Sequence, residues 1–125
     1  MSSLPRAFHQ IRLELAREPG HPSGDARTGY LITAPLDAEK HLDAGLWKAH
    51  RDNCRVVRFR RNDKDVGHLV YDPRGDWSFR YDISGDNAAE AGFKLQSERF
   101  VVGEYVSIGE GDLIHTYRVT SVEHV

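Results

Sequence analysis

The sequence predicts an α+β domain, mainly antiparallel β: a small curled sheet or partly open barrel of six to seven strands with one short helix. Three observations carry this prediction. Short runs rich in β-branched and aromatic residues recur along the chain, bounded by clusters of Gly, Pro, Asp and Asn. One run, Trp77 to Ile83, alternates throughout, with Trp77, Phe79, Tyr81 and Ile83 on one face and Ser78, Arg80 and Asp82 on the other. A single stretch, Asp37 to Asn53, carries a helix-start signal. Evenly spaced short strands with one helix point to a sheet curled on itself and covered on one side.

The first element, residues 8–16, fits two periods. Leu4, Phe8, Ile11 and Leu15 recur at helical spacing, while Ile11, Leu13 and Leu15 alternate with Arg12 and Glu14. A strand is favoured, because breakers at Gly20, Pro22 and Gly24 follow closely and Tyr30 to Leu36 is itself strand-like. The loop Glu18 to Asp25 between them reads as an irregular surface connection. In the helical stretch Asp43 is the N-cap, and Leu42 with Trp47 has the spacing of a hydrophobic staple. A helix of about ten residues needs the sheet to form at all. Its inner face is read as Leu46, Trp47, Ala49 and His50.

Three strands then follow: Arg55 to Arg61, Val66 to Tyr71 and Trp77 to Ile83. With Arg74-Gly75 as a turn tip, Val70 faces Phe79, His68 faces Tyr81 and Val66 faces Ile83. A four-residue loop at Asn62 to Asp65 sets Phe59 beside His68 and Val57 beside Val70. The polar stretch Ser84 to Gly92 reads as a surface connection with one helical turn at Asn87–Ala91, and Gly92 to Leu95 as a brief strand. The last unit is a hairpin with Gly111-Asp112 at its tip, placing Val106 by Tyr117, Ile108 by His115 and Tyr105 by Arg118.

At 125 residues the chain makes one β-rich domain, 1–125, with a single core. No apolar run approaches the ~18 residues of a membrane span, and Met-Ser-Ser-Leu-Pro-Arg lacks the layout of a signal peptide. A lone Cys54 offers neither a disulfide nor a Cys-rich zinc site. The expected location is cytoplasmic. A net charge of −2 argues against a generally basic nucleic-acid binder.

The run Ile11 to Arg17, then Gly29-Tyr30, Ala34 to Asp37 and Trp47, and finally Gly103 to Ile108 with His115 to Val119, resembles a family of small bacterial proteins with no assigned function. The similarity spans most of the chain as an overall pattern. It implies a single-domain, bacterial, cytoplasmic protein, and it carries no catalytic motif, cofactor or partner with it.

Among residues that could carry chemistry, His68 and His115 stand out, because both registers point them inward, beside Tyr81 and Ile108. With Tyr81 and Tyr117 they would form a ligand or acid–base pocket inside the barrel. The plainer account is core histidines satisfied by a carbonyl or a tyrosine hydroxyl. His50 and Cys54 have the spacing of a thiolate–imidazole pair, against which stands a small thiol buried near Trp47. Asp37, Glu39 and Asp43 crowd the helix entrance, where capping and turn roles account for them. No metal set and no cofactor motif can be assembled. On the outer face, Arg58, Arg60 and Arg80 with Tyr71 would make an arginine-bearing surface for an anionic partner; the competing account is a solvated face.

The expected function is a non-enzymatic binding or protein-interaction module. The alternatives are the inward-histidine pocket and nucleic-acid binding through the arginine face, which the net charge disfavours. A homodimer through an unpaired edge strand is compatible with the pattern.

Overall fold

The computed structural model describes residues 5–72, 74–81, 89–91, 95, 98–110 and 113–125. It is mostly antiparallel sheet with one short helix. The elements are β1 (Phe8–Leu15), β2 (Asp25–Pro35), α1 (Ala44–Ala49), β3 (Arg55–Arg60), β4 (Asp63–Tyr71), β5 (Trp77–Tyr81), β6 (Ala89–Ala91), β7 (Tyr105–Glu110) and β8 (Leu113–His124). A 3-10 turn, Arg51–Asn53, joins α1 to β3. The strand order is β6-β5-β4-β3-β2-β1-β8-β7. The two ends of this order, β6 and β7, approach one another, so the sheet curls most of the way round.

Alternation builds the core. Ile11 and Leu13 of β1, Tyr30 and Ile32 of β2, Val56 of β3, Leu69 of β4 and Phe79 of β5 all point inward and are buried. Val106 and Ile108 of β7 with Tyr117 and Val119 of β8 complete the ring. The curl needs close backbone approach at two glycines. A Cβ on Gly67 would stand 2.0 Å from the Arg80 carbonyl oxygen, and one on Gly29 would stand 1.8 Å from that of Leu13. Glycine at such corners lets a strand bend over its neighbour.

One end of the curl is closed by α1. Asp43 caps the helix, its carboxylate accepting from the Leu46 amide at 3.1 Å. Trp47 packs edge-on to Tyr71 and Trp77, and its indole Nε1 donates to the Leu69 carbonyl at 2.8 Å. The helix is six residues long and shorter than expected, because the His50 amide reaches both the Leu46 and Trp47 carbonyls and tightens the chain into the 3-10 turn. Ala49, expected on the inner face, is exposed. Phe100 and Leu95 also lie in the core.

The hairpin β7–β8 has the expected register, Tyr105 opposite Arg118, Val106 opposite Tyr117 and Ile108 opposite His115; its tip, Gly111-Asp112, lies outside the described residues. The central meander differs. Tyr71 pairs with Trp77, so the connection is a five-residue loop, 72–76, organised by Asp72, whose Oδ1 accepts from the Arg74 amide at 2.7 Å. The β3–β4 turn is the tight Arg61-Asn62, with Arg60 opposite Asp63, which aligns Arg58 with Asp65. The one-residue slip against β5 reverses both strands. Leu69, Gly67 and Val56 face inward, while His68, Val66, Val70, Val57 and Phe59 do not. Ala89–Ala91 is strand rather than helical turn. Ile83, Asn87 and the brief strand expected from Gly92 lie outside the described residues, apart from Leu95.

Candidate functional site

The end of the curl opposite α1 is a charged mouth. Leu15 ends β1, Arg60 ends β3, and His115 and Tyr117 stand near the start of β8. Beside them the chain turns at Glu18-Pro-Gly-His21. Proline at the second position and Gly20 with φ +91° at the third give a type II turn. The His21 amide donates to the Glu18 carbonyl at 2.8 Å and the Glu18 amide to the His21 carbonyl at 3.0 Å. That turn is tied to β8, the Ala16 amide donating to the Thr116 carbonyl at 3.0 Å.

His115 Nδ1 lies 2.8 Å from Glu18 Oε2. A carboxylate only accepts, so Nδ1 carries the hydrogen and the tautomer is set by Glu18. Glu18, His21, Arg60, His115 and Tyr117 line an open cleft of about 380 Å³. Just inside, the Arg58 guanidinium bonds Asp65, Nε to Oδ2 at 3.1 Å, and lies over the Tyr81 ring at 4.6 Å. Tyr30 meets Tyr117 edge-on at 5.0 Å and Phe79 at 5.3 Å. Packed rings fill the space behind the mouth.

Of the expected pocket residues, His115, Tyr81 and Tyr117 do share the inner face. His68 does not: it sits opposite Arg55 and Arg80 on the outer face, by the slip described above. The expected arginine surface is divided. Arg80 is outward, whereas Arg58 and Arg60 share the inward side of β3 with Val56, and Tyr71 packs on Trp47 and Trp77. Glu18, His21 and Tyr30 were missed as site residues, although the Pro-Gly turn that presents the first two is legible in the sequence.

A second concavity, about 660 Å³, lies on the outer face of β1, β8 and β7. Its floor includes Glu14, Arg118 and Tyr105, in register across three strands. Arg17 and Ser23 stand on its rim. Glu14 is taken up by Arg12 Nε at 2.8 Å and by the Thr120 hydroxyl at 3.3 Å. Asp25 accepts from the Arg27 amide, the Thr28 hydroxyl and Arg61, and these bonds hold its carboxyl below the usual range, the Arg27 amide contributing most. Arg17, Arg118 and Tyr105 are exposed, Tyr105 at 58%.

Cys54 is buried, its thiol directed at the His50 carbonyl at 3.4 Å, and burial pushes its pKa up to about 12. It is therefore a protonated packing group rather than a thiolate. Asp37 accepts from the Glu39 and His41 amides, a turn role. Among the described residues no three His, Cys, Asp or Glu side chains are grouped to hold a metal ion, and no helix is long and apolar enough to cross a membrane. Comparison with protein-family models, with curated proteins and with solved structures gives no match.

Proposed function

We propose that this protein is a non-enzymatic binding module whose outer-face groove takes an acidic, extended segment of a protein partner. The observation that carries this reading is the charge arrangement of the groove. Its two carboxylates, Glu14 and Asp25, are already engaged by neighbouring donors, whereas Arg17 and Arg118 are exposed, Arg118 directly opposite Tyr105. Exposed arginines beside an exposed tyrosine suit a carboxylate-bearing partner, because a guanidinium grips a carboxylate through two bonds and the ring supplies apolar area. The packed aromatic interior supports a rigid scaffold that binds on its surface.

Fluorescence anisotropy with labelled Glu/Asp-rich peptides, each carrying one aromatic residue, tests this at low and physiological salt. Binding that weakens with salt and falls about tenfold or more in Arg118→Glu and Tyr105→Ala is expected. Basic and neutral peptides of the same length serve as controls. No binding of any acidic peptide at low salt, or equal binding of the controls, overturns the proposal.

A further inference from the structure

We infer that the end of the sheet away from the mouth holds a binding site for a small aliphatic carboxylate, with Lys40 taking the carboxylate and a valine-lined cleft taking the chain. The cleft shares no residue with the outer-face groove and does not depend on it. Three parts of the chain build it. The strand β1 contributes His9, which pairs with His124 of β8, and Val122 stands two residues before His124. The segment leading into β7 contributes Phe100, Val101 and Val102, and the turn before α1 contributes Lys40. A backbone bond fixes these last two parts together, the Phe100 amide donating to the Lys40 carbonyl at 2.9 Å.

Two of these residues are not what local structure asks for. Val102 and Gly103 form the middle of a turn, closed by the Glu104 amide donating to the Val101 carbonyl at 2.9 Å, with Gly103 at φ +95°. Proline is the residue favoured before such a glycine, yet a valine stands there, 58% exposed. Lys40 holds φ +71°, a conformation that Gly or Asn adopts at lower cost. What these two residues add is an apolar side chain and a fixed positive charge on the same cleft.

The lining gives the ligand class. Among the described residues no carboxylate lines the cleft, and Lys40 makes no ion pair. The acids nearest to it in sequence are turned to His41 Nδ1, Asp37 at 3.9 Å and Glu39 at 3.7 Å. Burial is the main cause that lowers the His9 pKa, and the Lys40 charge lowers it further, so that charge is felt inside the cleft. His9 Nδ1 donates to the Ala7 carbonyl at 2.7 Å, which leaves Nε2 of the neutral ring without a hydrogen for a carboxylate. One fixed cation matches one carboxylate. The valines, Phe100 and the imidazole faces match an alkyl chain. At about 340 Å³ the cleft is near the small end of ligand sites, so the chain is short.

The test titrates butanoate, hexanoate and octanoate into the full chain at about pH 8, above the range in which an imidazole gains its proton, so that Lys40 is the cation tested. The imidazole carbon–proton signals of all seven histidines are followed by NMR. Saturable shifts confined to His9 and His124 are expected, with affinity rising about two- to fourfold per added methylene. Lys40→Gln should weaken octanoate about three- to fivefold. Val102→Asp, which exchanges apolar surface for a like charge, should weaken it about fivefold or more. Both positions are exposed, so neither variant endangers the fold. Arg74→Gln, in the exposed turn 72–76, should leave binding unchanged. Absence of saturable shifts with octanoate overturns the inference, as does an affinity that stays flat along the series. Equal binding of octanol or octylammonium, or wild-type affinity in Lys40→Gln, overturns it as well, because the carboxylate would then have no part in recognition.

Discussion

The indole Nε1 of Trp47 donates to the carbonyl oxygen of Leu69 at 2.8 Å, joining the only α-helix among the described residues to the middle of β4. That carbonyl belongs to a strand that pairs with both β3 and β5. The bond therefore satisfies buried groups on both sides while the ring packs on Tyr71 and Trp77. Arg51, from the turn that follows the helix, lies over the outer side of the same ring at 4.9 Å. A six-residue helix has no stability of its own, so this tryptophan, with the Asp43 cap, fixes it to the sheet.

Replacing Trp47 with Phe keeps most of the packing and strands the Leu69 carbonyl. The expected loss is about 1–3 kcal/mol, the cost of an unsatisfied buried acceptor. Trp47→Ala, which also opens a cavity, should lose about 3–5 kcal/mol. Urea unfolding of the two variants checks the order, and equal midpoints for Trp47→Phe and wild type would show that the bond contributes nothing.

At Gly67 and Gly29 the prediction is steric. A methyl group at either position collides with a backbone carbonyl, which cannot rotate away as a side chain can. Gly67→Ala and Gly29→Ala should each destabilise by more than about 1 kcal/mol, the lower end of overpacking costs. Gly45, where the nearest atom to an added Cβ is an Asp43 carboxylate oxygen at 3.4 Å, is the control. Thermal melts of the three variants would decide it, with a Gly67→Ala melt matching that of Gly45→Ala as the adverse result.

Strands and faces were legible wherever alternation was clean or a turn had one reading. Trp77, Phe79 and Tyr81 are all buried on one face, and the β7–β8 register is as its hydrophobic pattern dictates. The meander misled because its two turns were misread in a mutually consistent way. Both readings placed Val57, Phe59, His68 and Val70 inward, and their agreement came from strand period, which any consistent parity satisfies. Asp72, whose carboxylate widens its loop, and Gly67, whose missing side chain belongs at the crowded inner corner, held the correct parity. The mouth was half legible. His115 and Tyr117 follow from the hairpin, but nothing in sequence spacing could bring Glu18 to a residue 97 positions away.

Cys54 gives an alkaline prediction. Its thiol pKa is about 12 in the fold, against an ordinary value of 9.0, because burial disfavours the thiolate. The native state therefore keeps a proton that the unfolded chain has released, and stability present below about pH 9 falls as pH rises toward 12. Cys54→Ala loses that slope of up to about 1.4 kcal/mol per pH unit, whatever its effect at neutral pH. Parallel unfolding curves for the two proteins across this range would refute the assignment. Native Cys54 should also resist thiol-specific reagents until the protein is unfolded.

His9 contributes to the opposite limb. Its ring is buried beside His124, the centroids 4.4 Å apart, with Nδ1 donating to the Ala7 carbonyl at 2.7 Å. Burial lowers its pKa from the ordinary 6.5; the Ala7 carbonyl pulls it back up, while His124 and Lys40 lower it further. With the folded value depressed, the unfolded chain takes up the proton first. The stabilising contribution is complete above about pH 6.5 and is lost as pH falls toward and through the folded value. A histidine NMR titration should find the His9 midpoint below that of the same residue in urea. His9→Asn should flatten the acid limb of the stability profile even if it lowers stability at neutral pH through lost packing. His9 titrating at or above its unfolded value, or an acid limb of unchanged slope in the variant, would remove His9 as its source.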